Sequence, residues 1–374
     1  MKIYSTDTIV PKRTFGDSGV KISKLCLGGG SFTGPDSQAL LDEALKYGID
    51  CWEIVSFISG NVYCEYFKKH PEIRDTIFLT GKVYSTDPAV MQEQLDKALQ
   101  ENGTTYIDFL AIHPVDSIKV LTDDVRKWVE KVKKEKKIRF FGFCTHKNMD
   151  ICLSSAADLG WIDGVQTAYN YRLQSINSLE DALSKCHEKG IGIFAVKSMG
   201  LTVQQNEELQ KLPLNEENSH TILAVHGMSF EQAKLQSIWQ NTNLTSVCSL
   251  MSDSRILQSN AAAAMDERPL AAEIRKVLAD YAESTGQYFC RRCGLCDAAN
   301  AERIPIFNIM EMLMYSRGYG KMIQAFISKR FEQIPLEIRN KIPGADYSEA
   351  EKICPQKMPI SQLMGEAYLA LQMK

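Results

Sequence analysis

Four cysteines carry the clearest chemistry in this sequence. Three stand at Cys290-Arg-Arg-Cys293-Gly-Leu-Cys296, and the fourth opens Cys354-Pro355-Gln-Lys-Met-Pro359-Ile360. Thiols at such spacing suit a soft metal centre, because thiolate is the ligand those metals prefer. The two stretches are related. Cys354 leads to Met358-Pro359-Ile360 at the offsets by which Asn300 leads to Ile304-Pro305-Ile306, so the chain repeats itself with a displacement of 54 residues (354 − 300).

Two-cluster ferredoxins repeat C-x2-C-x2-C-x3-C-P, and each cluster takes three cysteines from one copy and the fourth from the other. Here the first copy keeps Cys290, Cys293 and Cys296 but has Asn300 in fourth place. The second has Gly344, Tyr347 and Ala350 in the first three places but keeps Cys354. The survivors form one complete ligand set and the losses form the other. The expectation is one [4Fe–4S] cluster on Cys290, Cys293, Cys296 and Cys354. A four-cysteine zinc site is the rival reading, although zinc sets usually pair one C-x2-C with another. A disulfide reading is weaker, since nothing points to secretion.

A second constellation is polar. Glu53, Lys82 and His113 fall at the C-terminal ends of three successive apolar runs. Charged residues seldom enter such runs without partners. A carboxylate beside an ammonium and an imidazole can move protons. The bland alternative is a structural Glu53–Lys82 ion pair with His113 satisfied in the core.

The elements that must position these residues alternate. Apolar runs recur at Lys24–Gly29, Ile49–Val55, Ile77–Val83, Ile107–His113, Phe140–Thr145, Gly164–Asn170, Gly192–Ser198 and Thr245–Met251. Helical periodicity lies between them at Ser37–Lys46, Met91–Leu99, Val125–Lys134, Met149–Leu159, Ser178–Glu188 and Phe230–Gln240. Eight such units in about 260 residues predict an α/β fold closed as a (β/α)8 TIM barrel. A turn at Asp17-Ser-Gly19 predicts an opening hairpin. No GxGxxG opens the first helix, which disfavours a dinucleotide fold of the doubly wound kind. From about Ala271 the texture changes to helices (Leu270–Ser284, Phe307–Met314, Ile360–Met373), an aromatic and glycine patch at Tyr315–Gly320, and the cysteines. The expected division is a barrel over 1–268 and a small helical ferredoxin-like iron–sulfur domain over 269–374, ordered largely by its cluster.

At 374 residues, 44% hydrophobic and 24% charged, the composition is that of a globular chain. A net charge of −3 argues against general nucleic-acid or membrane-surface binding. The basic run Lys133–Lys137 reads as a solvated helix end. The lack of an apolar leader or spanning run predicts a cytoplasmic protein. Seven further cysteines (Cys26, Cys51, Cys64, Cys144, Cys152, Cys186, Cys248) read mostly as small core residues. With a cluster they suggest an anaerobic host.

In order along the chain, Arg13-Thr-Phe-Gly…Leu27-Gly28-Gly29, Gly48-Ile49-Asp-Cys-Trp-Glu53, Arg74…Ile77-Phe-Leu-Thr-Gly-Lys82, Tyr106-Ile-Asp108…His113, Ile138-Arg139…Gly142-Phe143-Cys144-Thr145-His146, Gln166…Tyr169-Asn170 and Gly190-Ile191-Gly192…Lys197 resemble the aldo-keto reductases. With the cysteines, the chain is similar to their iron–sulfur branch. The resemblance implies carbonyl reduction with NADPH by an Asp, a Tyr, a Lys and a His. Lys82 and His113 carry over, and the Asp is Glu53. The Tyr does not carry over: Ile58 or Ser59 stands near its place, and Tyr63, Tyr84 or His113 itself is left to supply the proton. The resemblance also implies nicotinamide contacts at Thr145, Gln166 and Asn170, and phosphate and adenine contacts at Ser252, Arg255 and Asn260. Cys144 replaces a usual Ser, and Leu250 a frequent Gly.

The expected function is therefore an oxidoreductase acting on a small carbonyl or unsaturated substrate, holding one [4Fe–4S] cluster, with NADP(H) as the candidate hydride donor and a ferredoxin- or flavodoxin-like carrier as the candidate electron partner. Two other readings stand beside it. One is a lyase or isomerase using Glu53, Lys82 and His113 with a structural cluster. The other is a catalytically reduced redox sensor or electron-transfer subunit.

Overall fold

Side chains on a strand alternate between faces, so a barrel strand needs a small or apolar residue inward and another against its helix. The structure is a computed structural model describing residues 9–28, 36–54, 62–200, 216–300, 302–319 and 321–372. Strands β1 (Lys12–Thr14) and β2 (Lys21–Ser23) form an antiparallel hairpin. Strands β3 (Leu25–Gly28), β4 (Cys51–Glu53), β5 (Phe78–Val83), β6 (Ile107–Ile112), β7 (Ile138–Thr145), β8 (Gly164–Ala168), β9 (Gly192–Val196) and β10 (Ser246–Leu250) pair in parallel and close, β10 against β3. The eight apolar runs are these eight strands, trimmed by a residue or two at most ends.

The barrel interior is layered. Phe78, Phe109 and Phe194 fill its lower layer, with Phe15 from the hairpin between them. The Phe15 ring lies 5.2 Å from Phe78, 5.6 Å from Phe109 and 5.6 Å from Phe194. A Cβ on Gly192 would meet the Phe15 ring at 2.2 Å, and one on Gly164 would meet it at 2.5 Å, so those glycines make room for the plug. Above lie Cys26, Cys51, Ala111, Cys144, Val196 and Cys248. Two residues further along come Glu53, Lys82, His113 and His146. Period-two alternation thus puts aromatic, small and ionisable layers in sequence toward the C-terminal mouth.

A buried anion ties the wall. Asp108, fully enclosed on β6, accepts hydrogen bonds from Arg74 Nη2 (3.0 Å), Arg139 Nη1 (2.7 Å) and the Leu79 backbone N–H (3.0 Å). Three donors from β5, β7 and the segment before β5 stabilise that carboxylate against its desolvation.

Helix Val62–Lys69 was not legible in the pattern. Its Val, Tyr, Cys and Phe are mediocre helix formers. Packing decides it: Tyr63 and Phe67 stack on Trp52, and Tyr66 meets it edge-on. Helices Glu216–Val225 and Ser254–Met265 were likewise not anticipated.

The chain divides into two compact units: Met1–Ser198 with Ile222–Arg275, and Met199–Thr221 with Lys276–Lys374. In the second, helix Ile306–Tyr319 runs through the aromatic patch, and helix Ile360–Leu371 packs against it. Among the described residues, no helix is long and apolar enough to cross a membrane.

Candidate active site and cysteine centre

At the mouth, Lys82 Nζ lies 2.5 Å from Glu53 Oε1, with both side chains largely buried. Burial alone pulls the ammonium down. The Glu53 carboxylate, with Cys144 and Tyr84 behind it, overrides burial and holds Lys82 above its ordinary value. Lys82 is therefore a fixed positive charge at neutral pH. His113 follows β6, and its backbone N–H donates to Val83 O at 2.8 Å, which sets its ring beside the end of β5. Its ring centroid is 5.6 Å from that of Tyr84, at 90°, and 5.3 Å from that of His146. Cys144 Sγ is 3.6 Å from His146 Nε2. Burial pushes the Cys144 thiol up to about 12, against the pull of Lys82.

The structure thus brings Glu53, Lys82 and His113 to one mouth and adds Tyr84, Cys144 and His146. Ile58 and Ser59 lie outside the described residues. Tyr63 is ill-suited to donate protons to a substrate: it is fully buried, its ring stacks on Trp52, and its hydroxyl donates to Glu53 O at 3.3 Å. Tyr84 is part-exposed at the mouth. A lone Tyr after a strand gives no sequence signal beyond its place two residues past Lys82.

The cofactor residues differ among themselves. Gln166 is fully buried, and its amide nitrogen and oxygen make no hydrogen bond among the described residues. That donor–acceptor pair complements a carboxamide, since a buried amide left unpaired is costly. Thr145 donates to Lys147 O at 2.9 Å, and Asn170 to Lys197 O at 3.1 Å, so both are already oriented by backbone. Ser252 and Arg255 are exposed, and Asn260 is buried, donating to Ser249 Oγ at 3.1 Å. Helix Ser254–Met265 is capped by Asp253, whose carboxylate accepts from Ile256 N at 2.9 Å. That anion occupies the helix end where a phosphate is favourable, so the distal part of the site fits a phosphate less well than Gln166 fits a carboxamide.

In the second unit the two cysteine stretches are stitched together. Gln356 accepts from Arg291 N at 2.7 Å and donates to Phe289 O at 3.0 Å. Burial pushes Cys290 up to about 11, with the Arg292 N–H drawing it down and Cys293 and Cys354 raising it. Cys296 is raised to about 12, by burial first and then by Asp297 and the other three thiols. Cys290 and Cys296 thus each sense Cys293 and Cys354. The Arg292 guanidinium is buried next to them, on Glu311 (2.5 Å) and Tyr315 (2.8 Å).

The sequence repeat recurs in the backbone. Arg303 and Lys357, 54 positions apart, both take positive φ, at 56° and 50°. Ile306 N donates to Ile304 O, and Ile360 N to Met358 O, both at 2.8 Å, and each begins a helix. The non-cysteine positions of the repeat have structural uses. Asn300 bonds Ile304 through both amide atoms, and Tyr347 and Ala350 are buried.

A closed parallel eight-stranded barrel with charged side chains at its C-terminal mouth is an enzyme scaffold of the TIM-barrel class. Residues 24–279 match the Aldo/keto reductase family. The chain belongs to that family and is an oxidoreductase of the aldo-keto reductase type. Among solved structures it is similar to aldo-keto reductase AKR11C1 from Bacillus halodurans. For the holo form the TM-score is 0.58 at 18% identity, covering 73% of this chain and 96% of that one. The apo form gives 0.55 at the same identity and coverage. At that identity the likeness speaks for the fold. No curated protein matches the sequence.

Proposed function

We propose that this chain is a cytoplasmic iron–sulfur oxidoreductase that reduces a small carbonyl or similarly unsaturated substrate at the barrel mouth. The observation that carries the reading is the Lys82–Glu53 pair at 2.5 Å beside His113. A permanently charged ammonium lowers the pKa of a neighbouring phenol and stabilises negative charge on a substrate oxygen. Glu53 keeps Lys82 charged and fixed. His113 orients the substrate oxygen, and Tyr84 supplies the proton that the family's absent tyrosine would give.

NADP(H), when bound, supplies a hydride. Gln166 would hold its carboxamide, with Thr145 and Asn170 beside it, and Ser252, Arg255 and Asn260 would face its distal part. In the region 269–374, Cys290, Cys293, Cys296 and Cys354 would hold one [4Fe–4S] cluster, which would supply one-electron transfer with a ferredoxin- or flavodoxin-like carrier, while 1–268 forms the catalytic barrel. The doubled sequence and backbone pattern around the cysteines supports a cluster over a single zinc ion.

The test is an anaerobic visible spectrum before and after NADPH. A broad brown absorbance that bleaches with NADPH supports both cofactors. Brown protein indifferent to NADPH leaves the cluster and shifts its electron supply to the external one-electron carrier, or the chemistry to a non-redox reaction, because a hydride donor does not by itself reduce a one-electron centre. Colourless protein carrying zinc removes the cluster.

A further inference from the structure

Period-two alternation sets Cys144 and His146 on the same face of the β7 end, and the neighbouring strand β6 delivers His113 alongside. The ligand atoms of these three residues all lie within 4.8 Å of one another. Cys144 Sγ and His146 Nε2 are 3.6 Å apart. A tetrahedral zinc ion with bonds of ~2.3 Å to sulfur and ~2.0 Å to nitrogen sets its sulfur and nitrogen ligands about 3.6 Å from each other. That pair therefore already has the spacing of two ligands on one ion. The thiol is buried, whereas both imidazoles are half-buried.

We propose that His113, Cys144 and His146 form a site for a zinc-class divalent cation at the barrel mouth, separate from the four cysteines of the second unit. A mixed nitrogen and thiolate set suits zinc, whereas the oxygen-rich sites of calcium and magnesium are of another kind. Binding releases the Cys144 proton and forms the sulfur–metal bond in its place. Three protein ligands leave a fourth position, which water or a substrate oxygen fills. The nearby Lys82 ammonium opposes a second cation there, and its pairing with Glu53 offsets much of that opposition. Supporting ligands on strand ends rather than on loops gives the site a rigid frame.

The proposal shares His113 with the proposed reduction but is read out by binding, so neither depends on the other's result. Anaerobically purified protein, cleared of loosely held metal, is titrated with Co²⁺ and then with Zn²⁺. The expected result is one equivalent with tetrahedral cobalt bands and a thiolate-to-metal band, displaced by Zn²⁺. His146→Gln, which leaves the core untouched, lowers the affinity more than ~100-fold, beyond the loss typical of a supporting residue. Cys144→Ala removes the thiolate band. Wild-type protein that takes up no cobalt, or uptake unchanged in both variants, overturns the assignment. Unchanged uptake that disappears in Cys293→Ala moves the metal to the second unit and overturns it equally.

Discussion

Tyr84 stands perpendicular to His113, ring centroids 5.6 Å apart, on the strand end that also delivers Lys82. The proposed mechanism gives this phenol the proton-donor role, next to Lys82 and His113. Tyr84→Phe keeps the ring and the edge-on contact but removes the proton. Under the proposed mechanism it lowers kcat by ~10²–10⁴ with little change in KM. Steady-state kinetics of carbonyl reduction check this, and wild-type rates in Tyr84→Phe would return the acid role to His113 or to residues outside the described set.

In the proposed cluster Cys354 is the fourth ligand, from the far stretch, and Gln356 holds that stretch to the first. Cys354→Ala should lower bound iron well below the four atoms of an intact cluster and bleach the visible band. Gln356→Ala should leave iron content near normal but hasten loss of the cluster to a chelator. Iron assay and the bleaching rate separate the two effects.

Asp108 is enclosed by three donors, two of them guanidinium groups. Asp108→Asn leaves Arg74 buried with its charge uncompensated, which costs about 3 kcal/mol. The expected fall in Tm is roughly 6–12 °C for a unit of this size. Calorimetry checks it, and Arg139→Gln, whose guanidinium is nearly half exposed, should cost less than Asp108→Asn.

Lys234 is almost fully buried, with its ammonium 4.3 Å above the Phe230 ring. Burial lowers it to about 8, with Glu231 partly opposing. The folded pKa lies below the unfolded one, so between about pH 8 and 10.5 the unfolded chain binds more protons and stability rises with pH. Below that window the charged lysine costs stability. Lys234→Met should therefore stabilise the protein by on the order of 2 kcal/mol at pH 7, and the advantage should shrink toward pH 10. Urea melts at the two pH values check this, and a gain that persists unchanged at pH 10 would show that packing rather than charge is responsible.

Much of the barrel could be read from the chain because its cause is local. Alternation at Phe78, Thr80 and Lys82, or at Phe109, Ala111 and His113, is written in every second residue, and each strand carries its own record of which face is inward. Glu53, Lys82 and His113 were legible as charges at the ends of apolar runs, and the cysteine repeat was legible as matching offsets, which the positive φ of Arg303 and Lys357 now repeats in backbone. Other features are contacts across strands and could not be read this way. The stagger on closing the barrel sets Tyr84 on His113 and His113 beside His146. Packing on Trp52 makes a helix of Val62–Lys69, whose residues do not favour one. The sequence determined which residues each element carries and which face they take. Tertiary structure decided which of them meet, because a side chain's partner depends on strand register and closure, and neither is a property of any one segment.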